Sequence, residues 1–237
     1  MQFISIMADI FQQIKQEWSR FLSSRWRVML LLVLFVFAIL ALITVSKFLV
    51  FAETRLGYQL HDHILASFDA VDVSSWLFSL TYFCILLGIF GSMKSPRLFL
   101  VTLTSVGFVV IFRMLTIFLI PLEPPHGIIP LRDPFLEQTL YAQQVLTKDL
   151  FFSGHTSSIF ILFLINESKW IKRVLLLGTC TVAVLLLVQK AHYTVDVIFA
   201  IPFSFLTVIS ARMLVQYVMQ ILPDGTSYTL HSDSSSR

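Results

Sequence analysis

Residues 28–46 read VMLLLVLFVFAILALITVS, nineteen positions without a charged side chain, bracketed by Arg27 and Lys47. A helix of roughly 20 apolar residues matches the hydrocarbon core of a bilayer, and a helix apolar all round has no place on a water-soluble surface. This run therefore makes lipid the solvent of the fold. Five more apolar stretches follow: Ser74 to Met93, Leu98 to Pro121 (interrupted by Arg113), Leu150 to Asn166, Val174 to Gln189, and Tyr193 to about Ala211 or beyond. Pro202 inside the last predicts a kink. The expected fold class is all-α, a polytopic membrane helical bundle with six transmembrane helices over residues 28–222. The whole chain agrees, since 57% of its 237 residues are hydrophobic and its mean hydropathy is +0.82. Six spans leave no room for a second sizeable domain.

The flanks read differently. Phe3, Met7, Ile10, Phe11, Ile14, Trp18, Phe21 and Leu22 share one helical stripe, with Lys15 and Arg20 elsewhere, so residues 1–27 predict an amphipathic N-terminal helix on the cytoplasmic side. It either lies in the membrane interface or packs on the bundle. Residues 223–237 are polar and Ser-rich and predict a disordered tail. No cleavable signal peptide is expected, because the first long apolar run begins only after residue 27 and is long enough to span. Cys84 and Cys180 sit in apolar runs without metal-ligand spacing and are expected in the core.

Charge sets the orientation. Lys15, Arg20, Arg25, Arg27, Lys94, Arg97, Lys169, Lys172 and Arg173 fall on one side, nine in all; Lys47, Arg55, Arg132, Lys148 and Lys190 fall on the other. The positive-inside rule then puts both termini in the cytoplasm and the loop at 122–149 outside. That loop holds Pro124, Pro125, Pro130 and Pro134 and is too long for a mere connector, so a lid or substrate-binding segment is expected. No basic stretch interleaved with aromatics is present, which argues against nucleic acid as a partner. The oligomeric state is left open.

Two segments carry chemistry, and the topology places both at outer helix starts. One is Asp149-Leu-Phe-Phe-Ser153-Gly154-His155-Thr156; the other is Lys190-Ala-His192-Tyr-Thr-Val-Asp196. Residues four apart share a helix face, so Asp196 can hold one imidazole nitrogen of His192 and leave the other as a nucleophile or base. Gly154 lets backbone amides approach a phosphate at a helix N-terminus, Ser153 or Thr156 can add a hydroxyl, and His155 is placed as a general acid. A Ser-Gly helix cap alone would look the same. Arg113, inside the third span, can bind a lipid phosphate or pair with Asp149 or Asp196. Lys190 and Lys148 can add positive potential or snorkel to the interface. His61, His63 and His126 lack ligand spacing, and no metal site is expected. Asp62, Asp69 and Asp72 read as loop and cap residues, with Asp72 before the helix start at Ser74.

FFSGHTSS followed by HYTVDV resembles the sphingomyelin synthase branch of the type 2 phosphatidic acid phosphatase superfamily, which shows segments like GDYLFSGHT and HYTxDVxxAY. The matching positions are Asp149, Ser153, Gly154, His155 and Thr156, then His192, Tyr193, Thr194, Asp196, Val197 and Ala200. Arg113-Met-Leu-Thr116 is similar to the branch's Arg-x-x-Thr. The Lys-x6-Arg-Pro motif of the ordinary phosphatases is absent, and Leu186 stands where they carry an Arg. Thr147-Lys148 replaces the branch's Cys-Gly and Ile201 its final Tyr, which leaves headgroup and acceptor open. The resemblance implies a metal-independent phosphotransferase without cofactor, with membrane lipids as donor and acceptor. In that scheme His192, oriented by Asp196, attacks the donor phosphorus; His155 protonates the departing diacylglycerol; and a lipid alcohol such as ceramide or diacylglycerol accepts the headgroup. The site residues it implies are His155, His192 and Asp196 for catalysis, with Arg113, Asp149, Ser153, Gly154, Thr156 and Lys190 around the phosphate. Lacking the long N-terminal extensions of animal synthases, the chain is expected to be a compact protein of a bacterial inner membrane, its active site on the extracytoplasmic face. The alternatives are a lipid phosphate phosphatase with water as acceptor, and a non-catalytic membrane protein such as a scramblase.

Overall fold

The computed structural model describes residues 2–131 and 146–222; Arg132 and Pro134 of the long loop, and the expected disordered tail at 223–237, lie outside the described residues. Among the described residues there are seven α-helices: α1 Gln2–Leu22, α2 Arg25–Glu53, α3 Ser74–Ser92, α4 Pro96–Leu119, α5 Gly154–Ile165, α6 Lys169–Val188 and α7 Thr194–Ile221. Five of them (α2, α3, α4, α6 and α7) are long and apolar enough to cross a membrane, so the chain is a multi-pass membrane protein by length and composition. Their outward faces carry large apolar side chains, such as Leu32 and Val36 on α2 and Leu86 and Phe90 on α3. In water such faces would drive aggregation; in lipid they are solvated.

The fourth expected span behaves differently. It was to run from Leu150 to Asn166, yet its helix α5 has only 12 residues, and Asn166 is its C-cap. The reason is tertiary. Thr116 Oγ1 on α4 donates to the carbonyl of Phe151 at 2.9 Å, and Arg113 donates to the carbonyl of Phe152. Carbonyls held by a neighbouring helix draw residues 150–153 out of the helical ladder. Thr116 has a short side chain and stands three residues before the end of α4, so Phe151 lies about 5 Å below that end. The start of α5 is therefore recessed. α5 packs against α3, α6, α7 and α4, and none of its residues is exposed.

Other boundaries move less. The first expected span, α2, runs seven residues past Ser46 to Glu53, and the fifth, α6, begins at Lys169, not Val174, with Ser168 at its N-cap position. α7 continues through Pro202 to Ile221. Cys84 is buried, but Cys180 is exposed and not in the core. A Cβ on Gly178 would stand 2.4 Å from Cys84 Sγ, and a residue two further along a helix turns about 200° away from that contact.

The N-terminal helix takes the packed alternative over its last turns. Trp18 and Phe21 pack edge to face, Trp18 reaches Phe99 of α4, and its indole N–H donates to the carbonyl of Met93 at 2.8 Å. Phe11 remains 69% exposed on the same helix.

The two ends of the bundle are unlike. At one, residues 23–24, 93–95 and 166–168 turn the chain in two or three residues. At the other, among the described residues, lie the longer connections: 54–73, which includes a short 3-10 turn at Leu65–Ser67; 120–131 and 146–153; and 189–193.

Candidate active site

The loop-rich end is a polar fabric in which one connection satisfies another. Glu53, at the end of α2, accepts from the amides of Thr147 and Lys148. Lys148 Nζ donates to Glu123 at 2.9 Å and to the carbonyl of Arg55 at 2.7 Å, while Glu123 also accepts from the Gly57 amide at 2.8 Å. The hydrogen bond from Lys148, then that from Gly57, holds the Glu123 carboxyl below its usual range. Tyr58 and Leu122 form a parallel bridge. Irregular backbone at a membrane edge needs partners of this kind, since unpaired buried amides cost several kcal/mol each in an apolar setting, roughly.

Three residues link this fabric to helix starts, Tyr193 and Asp62 to that of α7 and Gln189 to that of α3. Tyr193 is 1% exposed; its hydroxyl donates to the carbonyl of Glu123 at 2.9 Å and accepts from the Leu60 amide at 3.2 Å. Asp62 accepts from the Thr194 amide at 2.7 Å and from its hydroxyl at 3.2 Å, as well as from the amides of Ile64 and Leu65. Burial pushes the Asp62 carboxyl up, but these four bonds outweigh it and leave the group below its usual range. Asp62 was expected to serve its own loop; it also caps a helix 132 residues away. Gln189 has the third tie. Its amide nitrogen donates to Ser74 Oγ and to the carbonyl of Ile129, and its amide oxygen accepts from Val73. Asp72 caps α3 as expected, accepting from the Ser74 amide at 3.0 Å.

The start of α7 presents the histidine–aspartate pair. His192 Nδ1 lies 3.3 Å from Asp196 Oδ2, and the same oxygen accepts from the Tyr193 amide at 3.0 Å. His192 is 2% exposed and Asp196 is fully buried. The backbone bond fixes the carboxylate before it meets the imidazole, so its position does not depend on the ring. The second oxygen, Oδ1, has no hydrogen-bond partner among the described residues.

The start of α5 lies against this pair. The Ser153 amide donates to the carbonyl of Asp196 at 3.0 Å, joining the two motifs backbone to backbone. Ser153 Oγ caps α5 by accepting from the Thr156 amide at 3.4 Å, and it lies 3.1 Å from Thr156 Oγ1. Both hydroxyls are thus engaged with each other, as in an ordinary N-cap. Arg113 closes the turn from below. It pairs with Asp149, donates to Phe152 and lies over the Phe152 ring. Of the two carboxylates open to it in the sequence, Asp149 is the partner. A Cβ on Gly154 would come 2.5 Å from Arg113 Nη1, so only glycine permits the guanidinium this close. His155 is half-buried and meets the Phe78 ring of α3 edge to face at 5.7 Å between centroids.

Lys190 occupies a position that usually belongs to glycine. Its φ is +54°, and the amides of Lys190 and Ala191 return to the carbonyls of Leu187 and Leu186, closing α6 in a Schellman motif. The side chain is buried, with Nζ 5.6 Å from the centre of the Phe68 ring. A Cβ on Gly127, which has φ +72°, would lie 3.9 Å from that nitrogen, so the ammonium points under the proline-rich loop.

Every residue singled out at the two motifs thus converges on one end of the bundle. Arg113, Asp149, Ser153 and Thr156 shape the turn; His192 and Asp196 stand at the start of α7 against it; His155, in the first turn of α5, meets Phe78 of α3; Lys190 stands two residues before His192. Gln189, Asp62 and Glu123 were not singled out for the site. An uncharged amide ending an apolar run was the only signal that pointed to Gln189. Residues 148–213, which contain both motifs, match the family model described as PAP2 superfamily C-terminal. No curated protein matches the chain.

Proposed function

We propose that this chain is a membrane lipid phosphotransferase, which moves a phospho-headgroup such as phosphocholine or phosphoethanolamine from a glycerophospholipid to a lipid alcohol such as ceramide or diacylglycerol. The observation that carries the reading is the Ser153–Asp196 backbone bond. It sets a helix N-terminus suited to a phosphate beside a histidine whose Nδ1 faces a buried carboxylate. The family-model match over the same stretch supports phosphoryl chemistry on lipids.

With Nδ1 protonated toward Asp196, His192 Nε2 carries the lone pair. It attacks the donor phosphorus; the bond from phosphorus to the diacylglycerol oxygen breaks, and His155 gives that oxygen its proton. A phosphohistidine bearing the headgroup remains. His155, now neutral, takes the proton of the acceptor hydroxyl, whose oxygen attacks phosphorus and releases His192. The first-turn amides of α5, with the helix dipole behind them, and the Lys190 ammonium offset the phosphate charge. Arg113 and Asp149 support the phosphate turn from behind. α5 makes the fourth of six crossings, completed by the recessed segment before it. The loop-rich end faces away from the cytoplasm, because the tight-turn end carries most of the basic residues. Both termini and α1 then lie at the cytoplasmic interface, where exposed Phe11 can meet lipid.

The test is product analysis with purified protein in liposomes, using labelled phosphatidylcholine with ceramide, then phosphatidylethanolamine with diacylglycerol. A new phospholipid, lost in His192→Ala, supports transfer. Water-soluble phosphate products alone, also lost in His192→Ala, make the chain a hydrolase. Turnover that survives in His192→Ala overturns the assignment of the nucleophile.

A further inference from the structure

Phe78 of α3, which is 7% exposed, sets its ring against His155, and Tyr82, one turn further along α3, stacks on Phe78 at 6.3 Å between centroids while remaining 37% exposed. An aromatic track thus runs from the outer surface of the bundle to the imidazole. Thr81 belongs to the same track, three residues from Phe78 on the same helix face. It is 4% exposed, and its hydroxyl has no hydrogen-bond partner among the described residues. Thr102, Thr104, Thr179, Thr181 and Thr207 all return their hydroxyls to a carbonyl four residues back, at 2.7–3.0 Å. Thr81 does not, although the same bond is open to any helical threonine. A buried hydroxyl left without a partner, one turn along the helix from the ring that meets His155, is satisfied when a ligand supplies one.

We infer that the acceptor lipid reaches His155 sideways from the bilayer along α3, past Tyr82 and Phe78, and that Thr81 donates to an acyl carbonyl next to the reacting hydroxyl. This rests on the transferase reading above and names the acceptor's class: an alcohol with an ester or amide carbonyl close to its hydroxyl. α3 enters from the loop-rich end, so Thr81 lies about 4.5 Å deeper than Phe78. That is the side on which the acyl chains of a membrane lipid lie. Diacylglycerol and ceramide both meet the description; a plain fatty alcohol does not.

Two measurements on the full-length protein in liposomes test the path. A photoactivatable diacylglycerol or ceramide is crosslinked to the wild type and the labelled peptide identified. Labelling of the peptide holding Thr81 and Tyr82 supports the path; labelling confined to α2 or α7 overturns it. Transfer is then compared across diacylglycerol, ceramide and a long-chain fatty alcohol. Thr81→Val is expected to raise KM about fivefold for the carbonyl-bearing acceptors, as for one lost neutral hydrogen bond, with Thr81→Ser restoring it. The penalty is absent with the fatty alcohol. An equal penalty on all three, or none on any, overturns the role of Thr81. The arm that responds, diacylglycerol or ceramide, identifies the source. If the wild type transfers nothing yet the label falls on α3, the transferase reading fails and the lipid path stands.

Discussion

The two ends of the bundle solve the same problem, returning a chain at a membrane surface, by opposite means. At the tight-turn end, residues 23–24, 93–95 and 166–168 do it with almost no irregular backbone. Three long-reaching side chains among the described residues tie it across helices. Trp18 donates to Met93, Asn166 donates to the carbonyls of Gly88 and Leu162, and Arg212 donates to the carbonyl of Leu164. Gly91 makes room, since a Cβ there would stand 2.0 Å from Asn166 Oδ1. At the loop-rich end, long irregular segments cross one another, and Glu53, Asp62, Glu123, Gln189 and Tyr193 satisfy their backbone groups. Only this end brings two helix starts, those of α5 and α7, together through irregular backbone, as the proposed phosphoryl transfer requires. Regularity serves spanning; irregularity, stabilised by buried partners, serves chemistry.

Substitutions that act at one end and not the other sharpen this contrast. Asp196→Asn is expected to have the largest effect. The amide oxygen can still accept from Tyr193, so the fold survives, but the imidazole loses its orienting charge. Activity should fall roughly a thousandfold or more, read in the headgroup-transfer assay beside an unchanged thermal midpoint. Arg113→Met leaves Asp149 unpaired and the Phe152 carbonyl without its donor. Asp149 keeps 31% of its side chain exposed, so the loss falls short of that for a fully buried pair, about 2–3 kcal/mol for the undonated carbonyl and the broken charge-assisted bond, and the midpoint of unfolding in detergent should drop accordingly. Arg113→Lys should recover little, because one ammonium cannot reproduce the two-pronged geometry. Asn166→Ala at the opposite end removes two hydrogen bonds and should cost about 1–3 kcal/mol, with kcat per folded molecule unchanged; a fall in kcat would show that the tight-turn end is not merely structural.

Much of this was legible in the sequence, and the limits were physical. Uncharged runs locate helices because a bilayer admits little else, so α2, α3, α4, α6 and α7 fall where hydropathy placed them. α5 was drawn too long because periodicity cannot show that Arg113 and Thr116, about 35 residues earlier in the chain, take the carbonyls its first turn would have used. Asp62 looked like a local cap because its second partner, Thr194, is distant in the chain. The motifs were legible as residue types at helix starts. Their junction through Ser153 and Asp196 was not, since it is made by backbone atoms that any residue carries.

Acid gives the smallest and most graded test of the comparison. Asp62 and Glu123 are held below their ordinary values of 3.8 and 4.5, so both carboxylates bind their protons less readily folded than unfolded. The stability they contribute is complete above the unfolded values and is lost as pH falls through the lower, folded ones. Amide exchange below pH ~4 should therefore rise first at Gly57, Ile64, Leu65 and Thr194, and later at the tight turns. Simultaneous opening of both ends would break the comparison.

The enclosure of α5 has a mechanical consequence. The helices around it differ in length, from the 28 residues of α7 to the 19 of α3, and it is these that meet the acyl chains of surrounding lipid. Thicker or thinner bilayers change the tilt of lipid-facing helices through hydrophobic mismatch. α5 has no exposed residue and so feels no mismatch of its own. Its start is pinned to α4 and α7 by hydrogen bonds and not by the depth of the membrane. The junction of the two motifs should then keep its geometry across membranes of different thickness, and under the proposed function that would let transfer proceed on lipids whose chain lengths vary.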